Sequence, residues 1–375
     1  MSKPIDMPQT ILEAVAKEGG GQMPIEDSWR EIHDTPVVLK SALKAHKGVL
    51  DTIALEFKKR DVERILILGS GDSWFAGMAV CLAFERYAGL QAIPIQAYEY
   101  AAYGSPLADA RSAVVVISSS GRPTTTWDAL DRALESPAFV VGISDTEYSG
   151  NPFLEKPPVS INPGATKLGM PTQTTTVTMG LLMQQALILG AELSFISNET
   201  YVDRVGQLSA IPDQMLAMLS SIHGILVSAA SHGAQHRLHT IIGSGPSYAV
   251  AQAASALLAE GPQLTGQPLP AEEYHHALRG STVREGDPVM FIAPSGEGYQ
   301  RVLDACGALT DLGAHTMAIV DSDEQDMSSM VDHAIHIPPV DEPISPLLSL
   351  PPVQLHSVYL AAERIACGHE RPALA

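Results

Sequence analysis

Two doubly wound parallel-sheet α/β domains in tandem are what this 375-residue sequence predicts, and three observations carry the prediction. Short Val/Ile-rich runs alternate with helical stretches of roughly 12–18 residues. A glycine-serine loop follows such a run twice, as "GSGDS" at 69–73 and "GSGPS" at 243–247, an offset of 174. Other landmarks return at the same distance: Glu99-Tyr100 as Glu273-Tyr274, and the "SSG" ending at Gly121 as the "PSG" ending at Gly296. Self-similarity of this kind marks one structural unit written twice.

Taken in order, "SWREIHDTPVVLKSALKAHKGVLDTIALEFKKR" reads as one or two helices. "RILIL" is a strand leading into the first loop, with a helix from Ser73 to about Arg86. Then come "AIPIQAY", "AVVVIS", a helix from about Thr124, and "AFVVGIS". The second copy repeats the scheme with "LHTII", a helix from Ser247 to Glu260, "VMFIAP", a helix to about Leu312, and "HTMAIVD". Such alternation yields parallel strands joined by right-handed crossovers, with helices on both faces. The apolar helix "TMGLLMQQALILGAEL" is followed by "ISNETYVDRV", which places the domain break near 196–206. The expected organisation is a helical segment 1–40, a first domain 41–200 and a second domain 201–375. With no low-complexity linker, the halves are expected to pack tightly.

Composition narrows the function. With 45% hydrophobic and 17% charged residues, the chain can fill real cores. A net charge of −19, with no dense Lys/Arg cluster, opposes binding to nucleic acid or to an anionic membrane surface. Any phosphate it takes should be small and held by backbone amides and hydroxyls. Cys81, Cys306 and Cys367 are far apart, with neither disulfide-framework nor zinc spacing, as expected of reduced thiols. The N-terminus lacks the apolar core of a signal peptide, and no window of about 18 uninterrupted apolar residues occurs. A cytoplasmic protein is the expectation.

The stretch "LGSGDSW" excludes the two commonest glycine-rich phosphate loops: it has no Lys-Ser/Thr pair, and Trp74 stands where a dinucleotide fingerprint needs its third glycine. Helix N-termini nevertheless bind anions through unpaired N–H groups and the helix dipole. Ser70, Gly71 and Ser73 from one loop, Ser118, Ser119 and Ser120 with Gly121 from the next, and Thr124 with Thr125 form a hydroxyl-rich set suited to a phosphate monoester. Each one alone reads as a helix N-cap; the set after successive strands points to an anion. The second copy has Pro246, Ala293 and Pro294 instead, so the first domain should hold the anion.

These residues resemble the sugar isomerase (SIS) domain family, with its flavodoxin-like fold, and in particular the isomerase half of glucosamine-6-phosphate synthase and its stand-alone relatives. "LGSGDSWFAG", "ISSSGRPTTT", "KLGMPTQTTT", "GSGPSYAVAQAASALLAEG", "EEYHHAL" and "PPVDEPISPLLSLPPVQL" carry the likeness in this order. It implies a sugar phosphate bound by Ser70, Asp72, Ser73, Ser118, Ser119, Ser120, Met170 and Thr172. It also implies a catalytic Glu260 and, sixteen positions on, a catalytic His276. Without the resemblance Glu260 reads as a solvated helix end, and His276 is preferred over His275 by spacing alone. Asp72 replaces a threonine of the synthase. Lys167 stands where the amino-sugar enzymes of the family tend to have an acid, which weakens the case for an amine at carbon 2 and leaves room for a different or more acidic substrate.

Aldose–ketose interconversion needs ring opening and a proton moved between carbons 2 and 1 through an enediol, which a carboxylate and a histidine can perform. No metal or organic cofactor is called for. An amine at carbon 2 would allow loss of ammonia instead. The resemblance further implies a homodimer, because in the family the histidine reaches the neighbouring subunit's sugar. Ser2 instead of an N-terminal cysteine nucleophile leads us to expect a stand-alone isomerase or deaminase. The ending "GHERPALA" falls where the synthase would supply a lysine closing over the sugar, which leaves ring opening to His276 or to a substrate that enters open. The competing class is a non-catalytic sugar-phosphate sensor.

Overall fold

The computed structural model describes residues 6–18, 23–122, 124–278 and 282–369. It contains two five-stranded, all-parallel sheets built on one topology. The first comprises β1 (Arg64–Gly69), β2 (Gln91–Gln96), β3 (Ser112–Ile117), β4 (Phe139–Ile143) and β5 (Val159–Ile161), in the order β2-β1-β3-β4-β5. The second comprises β6 (Leu238–Gly243), β7 (Thr265–Pro270), β8 (Pro288–Ala293), β9 (His315–Asp321) and β10 (His333–Ile337). Read from its β7 edge, its order is β7-β6-β8-β9-β10, the same winding. The register repeats as well: Ile67 pairs with Pro94 in the first sheet, and Ile241 with Pro268 in the second. Both prolines lie on edge strands, the place in a sheet where a missing N–H is tolerated.

Fourteen helices are described: α1 (Gln9–Lys17), α2 (Ile25–Ala45), α3 (Lys47–Arg60), α4 (Asp72–Ala83), α5 (Ala97–Tyr103), α6 (Thr125–Glu135), α7 (Pro152–Glu155), α8 (Gln173–Glu192), α9 (Asn198–Ser221), α10 (His223–Gly233), α11 (Pro246–Glu260), α12 (Ala271–Glu273), α13 (Tyr299–Asp311) and α14 (Pro346–Ala366). Around the first sheet, Leu66, Leu68, Val114, Val116 and Val140 pack against Ala97, Tyr100, Leu130 and Phe153 from α5, α6 and α7. On the other face, Gly77 of α4 lets that helix approach Ile67, whose Cγ2 lies 2.9 Å from where a β-carbon would be. In the second sheet, Ile242, Val289, Phe291, Ala318 and Val320 bury against Val302, Cys306 and Leu309 of α13. Helices α10 and α11 both pack on α14 in the same half.

The chain forms two compact units that do not simply follow sequence order. One holds residues 37–167 and 173–212; the other holds 1–36, 168–172 and 213–375. Two of the divisions fall at prolines inside helices, Pro36 in α2 and Pro212 in α9, where the ring removes an intrahelical hydrogen bond. The short segment 168–172 belongs with the second repeat because α2 binds it. The Glu31 carboxylate accepts from the N–H groups of Leu168 (2.7 Å) and Gly169 (3.1 Å), and Ser28 Oγ accepts from Met170 N at 2.9 Å.

Several elements go beyond the sequence reading. The first helix gives way at Phe84 to a π turn, Phe84–Ala88, short of Arg86. Strands β5, β7 and β10 were not anticipated: β5 has three residues, and β7 reads "TGQPLP". Helix α14 continues through Pro351 and Pro352 and is buried along most of its length, so it shows neither a clean helical run nor an apolar stripe.

Candidate active site

In a sheet wound 2-1-3-4-5, the crevice opens at the carboxyl ends of strands 1 and 3, where the winding changes direction. Those two strands deliver the serine loops. After β1, Gly71 takes φ +54°, ψ −129°, and α4 opens with no side-chain cap, so neither Ser70 nor Ser73 is consumed in starting the helix. Among the described residues, none other than its chain neighbours comes within 4 Å of the position a Gly71 β-carbon would take. Gln96, at the end of β2, fixes Ser70: its Nε2 donates to Ser70 Oγ at 3.3 Å, while its Oε1 accepts from the N–H groups of Tyr98 and Glu99. Asp72 stands in the first helical turn with Oδ1 buried.

After β3, the Ser118–Gly121 turn closes through Gly121 N donating to Ser118 O at 3.1 Å. Gly121 has φ +60°, and Asn151 packs where a β-carbon would go. Its carbonyl accepts from Trp127 Nε1 (2.9 Å) and from the Tyr148 hydroxyl. Ser119 O accepts from Asp145 N and Thr146 Oγ1. Ser120 Oγ accepts from Arg122 N at 3.4 Å. Thr124 is the N-cap of α6, its Oγ1 accepting from Thr126 N at 3.3 Å, so its hydroxyl already has helix-initiating work.

Asp145 is a member of this loop group that the sequence reading did not single out. It lies just past β4, beside the Ser119 turn, with Oδ1 buried. Burial pushes its carboxyl up to about 7, against the opposing pull of the Ser119 hydroxyl, the Ala165 N–H and the Lys167 ammonium. Its signal in the sequence was only a lone Asp at a strand end. Lys167 itself is exposed.

The remaining candidates lie on the other unit. Glu260 is the last residue of α11, partly buried, with Oε2 inaccessible to solvent. The following Gly261 is tightly enclosed: a β-carbon there would sit 2.6 Å from Met170 Sδ and 2.9 Å from Ser357 Oγ. Ser357 Oγ donates to Leu257 O at 2.7 Å, and Gln354 Nε2 donates to Thr172 O at 3.0 Å. Met170 and Thr172 are thus buried beside the end of the Glu260 helix, held by α2 and α14.

His276 is placed differently. It follows β7 in a kinked turn with φ −90°, ψ −118°, and its side chain is 65% exposed. Its Nε2 lies 3.0 Å from Glu272 Oε1; Arg301 beside Glu272, with His276 adding to it, holds that carboxylate below the usual range. Helix α11 ends at the amino end of the strands, where β7 begins, whereas His276 follows the carboxyl end of β7. Six strand residues at about 3.3 Å each put roughly 17 Å between the two ends. The fold therefore does not bring Glu260 and His276 of one chain together. The expected tail "GHERPALA" lies outside the described residues from Glu370 onward.

The description of the SIS domain matches residues 59–188 and again 235–364, more than half of the chain together. The chain belongs to the SIS domain family. Its likeness extends to glutamine–fructose-6-phosphate aminotransferase [isomerizing] of Caldanaerobacter subterraneus, 24% identical over 351 residues, covering 92% of this chain and 57% of that protein. This SIS chain thus spans little more than half the length of that relative. Among solved structures, the C-terminal domain of glucosamine-fructose-6-phosphate aminotransferase from Francisella tularensis matches with a TM-score of 0.79 at 18% identity, covering 90% of this chain and 96% of that one. Tagatose-6-phosphate ketose/aldose isomerase from Escherichia coli matches at 0.70 and 17% identity, covering 91% and 92%. Glucosamine-6-phosphate deaminase from Thermotoga maritima matches at 0.64 and 18%, covering 92% and 95%. All three share the tandem SIS fold. Among the described residues no single helix is long and apolar enough to cross a membrane, and no His/Cys/Asp/Glu group is arranged to hold a metal.

Proposed function

We propose that this chain is a sugar-phosphate aldose–ketose isomerase or amino-sugar-phosphate deaminase. The observation that carries the reading is the open, uncapped loop at Gly71 facing the crevice between β1 and β3, with the Ser118–Gly121 turn on its other side. In this reading Ser70, Ser73, Ser118, Ser119 and Ser120 hold the phosphate through hydroxyls and loop N–H groups, and Thr124 reinforces the adjoining helix start. The names of the similar proteins, which act on hexose 6-phosphates or amino-sugar phosphates, support the substrate class.

Glu260 takes the proton from carbon 2 and returns it to carbon 1 of the enediol while the hydroxyl proton passes from O2 to O1, so that no other reactant is consumed. With an amine at carbon 2, the same proton transfer gives the ketose-side imine, and water hydrolyses its C=N bond to the ketose phosphate and ammonia. Met170 and Thr172, packed at the end of the Glu260 helix, set the position of that carboxylate. Because β7 separates His276 from Glu260, ring opening falls to a His276 supplied by a second copy, which makes the working form a homodimer. Three free thiols support a reducing, cytoplasmic setting. The experiment is a screen of hexose 6-phosphates and their 2-amino and N-linked derivatives for ketose or ammonia release. Turnover of one of them establishes the activity. Tight binding with no turnover of any transfers the protein to the sensor class.

A further inference from the structure

The two repeats open their first helices with the same backbone: Gly71 at φ +54°, ψ −129° and Gly245 at φ +55°, ψ −132°. The close approach behind each loop is also repeated, with the helix backbone 2.6 Å from a β-carbon position at both Gly69 and Gly243. Their surroundings differ. Among the described residues, chain neighbours apart, none comes within 4 Å of the Gly71 β-carbon position, whereas Glu342 Oε1 lies 3.7 Å from that of Gly245; at Gly296, the counterpart of Gly121, the Glu342 carboxylate takes the place that the Asn151 amide takes beside Gly121. Glu297 N donates to Glu342 Oε2 at 3.3 Å. Glu342 also borders the small cleft formed by Ser244, Ser247, Pro294 and Tyr299.

The carboxylate is delivered by a rigid turn. Glu342–Ile344 is a single 3₁₀ turn in which Ile344 N donates to Asp341 O, Ser345 Oγ donates to Glu342 O at 2.8 Å, and Pro343 and Ile344 are buried. This is the "DEPISP" stretch at the entry to α14, for which the proposed reaction has no use.

We propose that Glu342 is a resident anion. Its carboxylate sits against Gly245 and Gly296 of the second repeat's two loops, where the first repeat has the neutral Asn151 amide beside Gly121 and an open Gly71, so the chain carries one site for a diffusible anion and one that it satisfies itself. The Glu297 N–H of the second loop attracts an oxyanion, and a carboxylate of the same chain meets that demand without loss of translational freedom. The neighbours explain why the occupant is a monoanion: Asp321 Oδ2 accepts from Ser295 N at 3.0 Å, and Glu324 accepts from the Tyr299 hydroxyl. A phosphate dianion would meet these carboxylates, so the vacated nest should take a small carboxylate.

The test is chemical rescue of the full chain. Glu342→Ala should lower the unfolding midpoint by roughly 2–4 °C. Sodium formate should then raise it in a saturable way, returning at least half of the loss, whereas sodium chloride at equal ionic strength should not. The unmutated chain and Glu342→Gln, whose amide keeps the loop filled, should respond to the two salts alike. If Glu342→Ala does not fold, refolding in formate but not in chloride is the same result. A Glu342→Ala chain that responds equally to both salts, or refolds in neither, overturns the proposal. The outcome is independent of whether any sugar phosphate is bound or turned over.

Discussion

Glu260 carries the reaction proposed here, and a change of one atom isolates it. Glu260→Gln keeps the shape and removes the proton acceptor, so turnover should fall roughly 10²–10⁴-fold while sugar-phosphate affinity changes little. Near-normal kcat in that variant would remove Glu260 from the mechanism. Asp145 yields a second prediction at the same scale. Its folded-state carboxyl is raised to about 7, so it is neutral below that pH and charged above it, beside the serine turn. Sugar-phosphate affinity should therefore weaken as pH rises through 7, and Asp145→Asn should flatten that part of the profile relative to the unmutated chain. The same sign governs stability: the contribution of a raised acid is complete below its unfolded value and is lost as pH rises through about 7. Asp145→Asn should consequently gain in relative stability toward alkaline pH. Titration of binding by calorimetry from pH 5.5 to 8.5 reads the first effect, and urea midpoints read the second.

At the scale of elements, the strand–loop–helix joint sets the geometry of both repeats. Gly69 and Gly243 end β1 and β6 with the following helix backbone 2.6 Å from a β-carbon position. Backbone cannot swing aside as a side chain can, so Gly69→Ala and Gly243→Ala should each destabilise by about 1–3 kcal/mol or more, read as a lowered denaturant midpoint. Equal costs at the two positions would show that the repeats share this joint in energy as well as in shape. Buried histidines in α2, β6 and α14 impose an acid limit. Burial lowers His33 and His239 to about 4 and His356 to about 3, so all three are neutral in the folded chain. A depressed histidine contributes stability that is present above its unfolded value near 6.5 and is lost as pH falls through 4 and 3. Unfolding midpoints should accordingly drop steeply between pH 6 and 4, and His239→Gln should soften that drop.

At the scale of the whole molecule, the separation of Glu260 from His276 by the length of β7 makes a prediction about assembly. Glu260→Gln and His276→Asn chains should each be inactive alone. Mixed one to one and allowed to exchange, they should recover about a quarter of the unmutated rate, since half of the dimers are mixed and each holds one intact pair. No recovery in a mixture shown to contain mixed dimers would place both residues in the same chain's site and contradict the strand geometry.

The sequence by itself determined the repeat, the alternation of strand and helix, and the glycine-serine loops, because each is local: periodicity, a turn residue, an apolar run. It also placed Ser70 and Ser118 to Ser120 on those loops and Ser73 at the opening of the helix that follows, since a loop after a strand is read from its neighbours alone. Tertiary structure decided the rest. Asp145 joined the loop group only because β4 lies beside β3, and Glu342 reached the second loop only because the chain returns to it nearly a hundred residues after Gly245. Met170 and Thr172 share a unit with Glu260 because Ser28 and Gln354 hold their backbone and Glu31 that of Leu168 and Gly169 just before them, hydrogen bonds that span up to 182 positions of sequence. Spacing of sixteen residues picked out Glu260 and His276, but that a whole strand of fixed rise per residue separates the two along the sheet is a fact of the fold. Contacts distant along the chain leave no periodic trace in it, and for that reason they had to be read from the fold.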